Sequence, residues 1–406
     1  MPPVGTLAVG DEVVVDIGPV ARGGACVARH EGQVLFVRGV LPDESARVRV
    51  VEVGRRGRFV RAVPVQVLTS SEHRVEPPCR YAGPGPDQCG GCDFQHVSLV
   101  EQRRLKAAVV AEQLERAGGV EDLTARWSGV VEPLADPVAD RPGLRWRTRV
   151  RLAVDGTGTA GLHPHRSHDV VPIDDCLIAA DGLDVPEVTG TSWPGVDQVT
   201  LQLEPVTGDR VVTVGRGHGS EAMTMHAAGR RWQVSSGGFW QVHPEAADTL
   251  ADAVMAAASP RAGESLVDLY AGVGLFSGVW GERVPGPVVA VEGNRAAASD
   301  AVANLADLPD ATVHTVAVER FVTREDVRPD VVVLDPPRVG ARREVVEGIA
   351  RWRPRAVVYV ACDPAALARD VSFFATSGYR LASLRAFDLF PMTHHVECVA
   401  RLEPVA

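Results

Sequence analysis

Cys362 lies between two segments of different character. An apolar, β-rich run over residues 356–360 precedes it, and Asp363-Pro364 with a helical run follows it. A thiol at the end of a strand and near the N-terminus of a helix is partly exposed and is favoured as a thiolate. The pattern therefore predicts a nucleophile. The competing interpretation is a small buried side chain, because free cysteine is among the most buried residue types.

Four other cysteines have the spacing of a metal site. The segment Cys89-Gly-Gly-Cys92 can present two thiolates to one centre, because its glycines let the backbone fold tightly. Cys79 supplies a third thiolate, and Cys176 is the best fourth because the other cysteines lie in a predicted barrel strand or far along the chain. Zinc and an iron–sulfur cluster both accept four thiolates, so spacing alone leaves both open.

A glycine turn follows the predicted strand Ser265–Leu269. It reads Asp268-Leu-Tyr-Ala-Gly-Val-Gly274, and its glycines allow a ligand to approach the backbone closely. Glu292 ends the next strand, 20 residues after Gly272, the usual offset of a carboxylate that binds ribose hydroxyls. Ser277 stands where a dinucleotide site has a third glycine. The pattern therefore favours S-adenosylmethionine over a nicotinamide dinucleotide.

Asp335-Pro-Pro-Arg338 closes a later predicted strand. Such a motif can present a carboxylate and rigid carbonyls to a planar base, although a simple turn is the alternative. The carboxyl ends of parallel strands meet at one edge of a sheet. Asp268, Glu292 and Cys362 are therefore expected near Asp335.

Alternating strands and helices position these residues. From residue 232 onward, β-branched runs alternate with helical runs, which predicts a doubly wound parallel sheet. Five short strands between residues 9 and 68, separated by glycine turns, predict a small OB-like β-barrel. The predicted fold class is α/β: a Rossmann-like domain for S-adenosylmethionine over 232–406, preceded by the barrel over 1–68 and a mixed α+β central domain with the cysteines over 69–231.

Composition limits the class of protein. The chain has 406 residues, 45% of them hydrophobic and 23% charged, which suits two or three globular domains. No apolar run reaches the roughly 18 to 20 residues of a membrane span, and no charged leader precedes an apolar block, so a cytoplasmic protein without membrane contact is expected. Seven cysteines, an odd number, favour metal binding or catalysis over a disulfide framework.

Positive charge in this chain is almost entirely arginine, since Lys106 is the only lysine. The net charge of −10 argues against a globally basic nucleic-acid binder and leaves local patches open. Four arginines alternate along a predicted strand over residues 144–154: Arg145, Arg147, Arg149 and Arg151. Alternation places them on one face, which we expect to bind RNA phosphates. A solvated or ion-paired face is the alternative.

Six motifs occur together in the chain: Cys89-Gly-Gly-Cys92, Gly238-Phe-Trp-Gln-Val-His-Pro244, Asp268-Leu-Tyr-Ala-Gly-Val-Gly274, Leu334-Asp-Pro-Pro-Arg338, Ala361-Cys-Asp-Pro364 and Phe390-Pro-Met-Thr-His-His-Val-Glu397. This set resembles the RNA 5-methyluridine methyltransferase family, of the type with a TRAM barrel and a cysteine-bound [4Fe-4S] cluster. The resemblance covers essentially the full length of the chain. It implies an S-adenosylmethionine-dependent enzyme that modifies RNA.

The resemblance also assigns roles to residues. It implies a [4Fe-4S] cluster, with zinc as the alternative, on Cys79, Cys89, Cys92 and Cys176. It implies cofactor contacts from Gln241, Tyr270, Glu292 and Asp335, beside the loop glycines Gly272 and Gly274. It implies that Cys362 is the nucleophile and Glu397 the general base. Asp363 stands where the family often has asparagine, and its charge is expected to raise the pKa of the adjacent thiol.

Uridine carbon 5 is a poor nucleophile, so a thiolate must first add at carbon 6. Cys362 would add, and Glu397 would then remove the carbon-5 proton so that the thiolate is expelled. The target base must leave its stack, with the barrel and the arginine strand holding flanking RNA. Ribosomal RNA is favoured over transfer RNA, and a monomer without an obligate protein partner is expected. The alternatives are a methyltransferase for 5-methylcytidine or a base amine, and a non-catalytic RNA-binding metalloprotein.

Overall fold

Three units follow one another along the chain. The computed structural model describes residues 7–55, 58–85, 87–215 and 222–405. The units are built on a closed five-stranded barrel, a five-stranded antiparallel sheet and an eight-stranded mixed sheet. Within the described ranges, no helix is long and apolar enough to cross a membrane.

The N-terminal unit is the predicted barrel, closed in the order β1-β2-β3-β5-β4. Its strands are β1 (Glu12–Val20), β2 (Cys26–His30), β3 (Gln33–Val37), β4 (Ser45–Val53) and β5 (Val60–Thr69). Along β4, Ala46, Val48 and Val50 are buried, whereas the alternating Arg47 and Arg49 are exposed. This period of two is what a strand with one face on a core requires.

Two elements between the barrel and the central sheet join the large sheet instead. They are α1 (Leu99–Arg116) and β6 (Val131–Pro133). Leu105, Val110 and Leu114 form a buried stripe on α1, as the helical period predicts. Val110 and Leu114 belong to the core of the C-terminal unit.

The central sheet is antiparallel, in the order β11-β10-β7-β8-β9. Its strands are β7 (Arg149–Val154), β8 (Ala160–Leu162), β9 (Val171–Pro172), β10 (Gln198–Leu203) and β11 (Arg210–Val214), with the short helix α2 (Val185–Thr189) between β9 and β10. The strand predicted over residues 144–154 begins only at Arg149, because Arg145 has a φ of 58° and interrupts the extended backbone.

The C-terminal unit contains the predicted doubly wound sheet and a separate two-stranded hairpin, which its first two strands form. Its strands are β12 (Met223–Ala227), β13 (Arg230–Val234), β14 (Leu266–Leu269), β15 (Val288–Glu292), β16 (Ala311–Thr315), β17 (Val331–Leu334), β18 (Ala356–Ala361), β19 (Tyr379–Asp388) and β20 (Glu397–Pro404). Its helices are α3 (Ala246–Ala258), α4 (Leu275–Arg283), α5 (Arg295–Asn304), α6 (Val318–Arg324), α7 (Arg342–Trp352) and α8 (Pro364–Thr376).

Strand order in the large sheet is β16-β15-β14-β17-β18-β20-β19-β6. Strands β14 to β18 are parallel, and β20 pairs antiparallel between β18 and β19. Every residue of β17 and β18 is buried, as expected where helices cover both faces of a parallel sheet. One face packs on α1, α6, α7 and α8, and the other on α3 and α4.

The predicted boundary between residues 231 and 232 falls inside β13. The β12–β13 hairpin packs in the same core as α3 and α4, through Met225, Trp232 and Val234. By packing, the hairpin, α1 and β6 belong with the large sheet. Sequence composition changes near residue 232, but burial of apolar surface decides the unit.

Candidate active site and cysteine centre

Cys362 and Glu397 face one another across two adjacent strands. Cys362 directly follows β18, and Glu397 is the first residue of β20. The antiparallel ladder pairs Ala361 with Cys398, so the next step of the register sets Cys362 opposite Glu397. The structure thus brings together the predicted nucleophile and the predicted base.

Acidic groups surround the thiol. Burial, followed by the carboxylates of Glu397 and Asp335, raises the pKa of Cys362 to about 12. Asp363 raises this pKa further, as its charge predicted, whereas Arg338 lowers it. The sequence-based expectation that the site favours the thiolate is wrong for these surroundings, because burial and acidic neighbours outweigh the helix N-terminus.

The two carboxyl groups beside the thiol also bind their protons tightly. Burial, and then the charge of Asp335, raises the pKa of Glu397 well above its ordinary value. Burial, together with Asp268, raises the pKa of Asp335 to about 7. Arg338 opposes the shift at Glu397, and its guanidinium lies 3.5 Å from the His395 ring. The site therefore combines one thiol with two carboxyl groups. Arg338 is the single cation among the groups that shift the pKa values of Cys362 and Glu397.

The glycine turn after β14 has the backbone of a ligand-binding loop. Tyr270, Gly272 and Gly274 have φ values of 61°, 57° and 93°. A Cβ added to Gly272 would meet no atom within 4 Å, so its space faces outward from the fold. The Glu292 carboxylate accepts hydrogen bonds from the Gly272 and Asn294 amides, at 2.9 and 2.6 Å, and is thereby held beside the loop.

Asp268 anchors this loop by joining the strand before it to the helix after it, a role that sequence reasoning did not assign. Its Oδ2 accepts hydrogen bonds from the Ser277 amide and hydroxyl at 3.0 and 2.7 Å, which ties β14 to α4. Its Oδ1 is buried and has no hydrogen-bond partner within the part of the chain that the structure describes. Burial raises the pKa of Asp268 to about 7. Ser277 was the feature of the sequence that could have indicated this role, because its hydroxyl donates the hydrogen bond to Asp268.

Gln241 lies in the segment between β13 and α3. The preceding Trp240 packs against Trp232, with ring centroids 6.3 Å apart, in the same core cluster as Val273 of the glycine turn. Arg149 holds the start of this segment by donating to the Gly238 carbonyl oxygen at 2.7 Å. Gln241 itself is half-buried, and its contact with the cofactor stays a prediction.

The four predicted metal ligands line one cavity. Cys79, Cys89, Cys92 and Cys176 contribute to its wall, and all are free thiols. Burial raises the pKa of Cys89 to about 11. Among the described residues, no group of three or more His, Cys, Asp or Glu side chains is arranged to hold a metal ion. The sulfurs therefore share a cavity of the right chemistry without forming a closed coordination shell.

Tight packing of the cysteine loop explains one of its glycines. A Cβ on Gly90 would lie 2.3 Å from the His165 amide nitrogen, and the Gly90 amide donates to the His163 carbonyl oxygen at 3.0 Å. Any side chain would push apart the two loops. The predicted need for glycine between the cysteines is therefore steric at this position.

The predicted arginine face is divided among three tasks. Arg145 pairs with Asp175 at 2.6 Å and with Asp181 at 3.0 Å. Arg147 Nε donates to the Arg149 carbonyl oxygen at 3.0 Å, while Arg149 holds the Gly238 turn. Burial raises the pKa of Cys176, and the charge of Arg147 opposes that shift. Arg151 is exposed. The expectation of four arginines on one phosphate-binding face is therefore wrong, because the backbone turns at Arg145 and partners within the chain engage three of the four.

Comparison with known proteins identifies the family. A family model described as tRNA (Uracil-5-)-methyltransferase matches residues 207–404, and a TRAM-domain model matches residues 7–65. A Pseudomonas putida protein named 23S rRNA (uracil(1939)-C(5))-methyltransferase RlmD is 32% identical, covering 97% of this chain and 94% of its own. The chain belongs to the RNA uracil-5 methyltransferase family.

Other relatives of this methyltransferase agree with the assignment. An uncharacterized RNA methyltransferase of Streptomyces avermitilis is 46% identical over 98% of this chain and 99% of its own. Among solved structures, the tRNA (uracil-54, C5)-methyltransferase of Pyrococcus abyssi, in complex with S-adenosyl-L-homocysteine, is 22% identical. It aligns with a TM-score of 0.70 over 96% of this chain and 99% of that one, which shows a shared fold. The barrel is accordingly a TRAM domain.

Proposed function

We propose that this methyltransferase transfers a methyl group from S-adenosylmethionine to carbon 5 of a uridine in RNA, through a covalent bond between Cys362 and carbon 6. The observation that carries the proposal is the cross-strand placement of Cys362 opposite Glu397, with Asp335 acting on the pKa of both. A nucleophile and a base on neighbouring strands can reach opposite ends of one carbon–carbon double bond.

Proton transfers can be assigned from the pKa directions. Asp335, with a pKa of about 7, is suited to accept the thiol proton near neutral pH. The Cys362 sulfur then bonds to carbon 6, and the electron pair of the carbon 5–carbon 6 double bond moves to carbon 5 and the oxygen of the adjacent carbon-4 carbonyl, as an enolate. After methylation, ionised Glu397 removes the carbon-5 proton. The released electron pair restores the double bond and expels the Cys362 thiolate.

The glycine turn would hold the cofactor. S-adenosylmethionine, when bound, supplies the methyl group and a positively charged sulfonium. Gly272 leaves open space at positive φ, Glu292 is held as a hydroxyl acceptor, and Asp268 offers an unpartnered buried oxygen. Tyr270 and Gly274 belong to the same loop, and the resemblance adds Gln241 as a further cofactor contact. These features support binding of an adenosyl group at this edge of the sheet.

We propose a [4Fe-4S] cluster at the cysteine cavity, with zinc as the alternative. Four free thiols, from Cys79, Cys89, Cys92 and Cys176, line one cavity without a carboxylate or imidazole among the predicted ligands. An all-thiolate set suits either centre. Iron and sulfide analysis of protein purified without oxygen, with the visible absorption spectrum, tests the choice. One zinc per chain and no iron would reject the cluster.

Ribosomal RNA is the proposed substrate class. The full-length relative named for 23S rRNA is 32% identical, whereas the structural relative named for tRNA is 22% identical. The TRAM barrel and exposed arginines, including Arg47 and Arg151, supply guanidinium groups for flanking phosphates. Nucleoside analysis of ribosomal and transfer RNA from cells with and without the gene would distinguish the two.

Two variants test the chemistry. Cys362→Ala should abolish methylation while binding of S-adenosylhomocysteine survives. Glu397→Gln should trap a protein–RNA adduct that migrates as a shifted band on a denaturing gel. Cys26→Ala, which removes a buried thiol in the barrel, is the matched control and should retain methylation. A methylating Cys362→Ala enzyme, or methyl groups found on cytidine or a base amine, would reject the proposal.

A further inference from the structure

The loop between β19 and β20 leads directly into Glu397, and other parts of the chain hold it. The Met392 carbonyl oxygen accepts hydrogen bonds from the Asp93 and Phe94 amides at 3.0 and 2.9 Å. The Met392 amide donates to the side-chain oxygen of Gln102 on α1 at 2.8 Å. The loop between β19 and β20 is therefore hydrogen-bonded to the segment that follows Cys92 and to α1.

Asp93 links the barrel to the same loop. Its Oδ1 accepts a hydrogen bond from Arg38 Nη2 at 2.7 Å, and its Oδ2 accepts one from His394 Nδ1 at 2.6 Å. The Asp93 side chain is 9% exposed, so water competes little for these contacts. One carboxylate thus connects the barrel, the cysteine segment and the loop three residues before Glu397.

The barrel packs tightly against His394 and Phe94. The barrel residue Gly24 lies against His394 and Phe94, where an added Cβ would approach the His394 Cβ to 2.9 Å and the Phe94 ring to 3.3 Å. His394 is thus gripped by a barrel turn on one side and by Asp93 on the other. The barrel turn therefore limits His394 on one side, and Asp93 provides the hydrogen bond that fixes the ring on the other.

The nucleophile is held by different contacts. Asp363 caps α8 through the Ala366 amide at 2.9 Å. At the ends of the same segment, the Tyr359 hydroxyl donates to Asp370 Oδ2 at 2.7 Å. None of these described contacts involves Asp93. The barrel also reaches the nucleophile turn, through Arg22 and Asp363, but Asp93 supports only the loop that leads to Glu397.

We propose that Asp93 is a positioning residue for the step that releases RNA from the enzyme. It sets the loop that delivers Glu397, and so it acts on removal of the carbon-5 proton and not on addition of Cys362. The inference rests on the proposed function. It assigns to the cysteine segment a part in the placement of the base, beyond holding a metal centre.

The experiment separates adduct formation from adduct release. Asp93→Ala, Asp93→Asn and Arg38→Met are compared with wild type and Glu397→Gln in single-turnover reactions with RNA and S-adenosylmethionine. We expect Asp93→Ala to form the adduct at nearly the wild-type rate and to release it ten- to a hundredfold more slowly, the cost of a misplacement of about 1 Å. Asp93→Asn keeps one acceptor oxygen, and Arg38→Met leaves the contacts of Asp93 with His394. Both should release RNA at rates between those of wild type and Asp93→Ala.

Controls separate positioning from a loss of structure. Asp87→Asn changes an exposed carboxylate in the same cysteine segment and should leave both steps unchanged. Iron content and visible absorption are measured for every variant, because Asp93 is adjacent to Cys92. Equal slowing of formation and release, slowing that follows iron loss, or wild-type release by all three variants would overturn the inference. If wild type makes no 5-methyluridine and Glu397→Gln no adduct, the proposed function itself fails.

Discussion

Arg22, in the turn between β1 and β2 of the barrel, donates to Asp363, the residue that follows Cys362. Its Nε and Nη2 lie 3.0 and 2.6 Å from Asp363 Oδ2. The other carboxylate oxygen accepts the Ala366 amide and caps α8. One side chain therefore fixes the turn of the nucleophile to its own helix and to the barrel, while its charge raises the pKa of the thiol.

Asp363→Asn and Asp363→Ala should separate these effects. Asparagine keeps a capping oxygen but loses the charge, so the pKa of Cys362 should fall and its alkylation at pH 8 should accelerate. Alanine also loses the cap, which should lower the free energy of unfolding by about 1 kcal/mol relative to asparagine. Urea unfolding and alkylation rates measure the two. Equal stability of the two variants would contradict the capping role.

Cofactor charge should activate the thiol. The pKa of Cys362 is about 12 because of burial, Glu397 and Asp335, so a nearby positive charge should lower it. S-adenosylmethionine carries a sulfonium, and S-adenosylhomocysteine has a similar shape without that charge. We therefore expect alkylation of Cys362 to begin at lower pH with bound S-adenosylmethionine than with bound S-adenosylhomocysteine. Mass spectrometry of the Cys362 peptide across pH measures the difference. Identical profiles with both ligands would argue against electrostatic activation.

Glu397→Gln should stabilise the fold at neutral pH. A carboxyl with a folded-state pKa above its ordinary 4.5 binds its proton more tightly in the folded protein. The unfolding free energy of wild type therefore falls as pH rises above about 4.5, until the folded-state pKa is reached. Glutamine has no such proton. We expect the variant to be more stable than wild type at pH 7 and equally stable near pH 4, where both side chains are uncharged.

Chemical denaturation at several pH values tests this difference. Glu115→Gln on the exposed face of α1 is the control and should show no such pH dependence. A pH-independent difference between Glu397→Gln and wild type would mean that packing, and not ionisation, is responsible.

Two glycines offer a matched test of the cofactor loop. Gly272 and Gly378 have φ values of 57° and 84°, and a Cβ on either meets no atom within 4 Å. Alanine at each should cost about 1 to 2 kcal/mol of stability through backbone strain. Only Gly272→Ala should also weaken binding of S-adenosylhomocysteine, by roughly tenfold or more by calorimetry. Equal affinity in both variants would place the ligand elsewhere.

Parallel strands explain why much of the site could be predicted from the sequence. Each of Asp268, Glu292 and Asp335 ends or follows a short β-branched run, and strand alternation brings those ends to one edge. The placement of Cys362 opposite Glu397 was harder to predict from the sequence. It depends on β20 running antiparallel beside β18, and only the ladder fixes that register.

Long-range pairing accounts for what could not be predicted. Arg145 alternates with its neighbours in sequence, but Asp175 and Asp181, more than 25 residues away, draw it out of the strand. The single lysine gave no local signal either, yet Lys106 is fully buried and donates to Asp388 at 2.5 Å. Likewise, the pKa of Cys362 depends on Glu397 and Asp335, which lie on other strands.

The cross-strand placement of the nucleophile and base makes the reaction insensitive to the length of the connection between α8 and β19. Helix α8, the turn at Gly378 and strand β19 separate the two residues in sequence, but the pairing of β18 with β20 sets the register that places them opposite each other. Residues could be inserted at the Gly378 turn, or the chain opened there, without displacing either group. Deleting one residue within β20 would instead turn alternate side chains to the opposite face. Evolutionary or engineered change in length is therefore tolerable in the connection and forbidden in the strand.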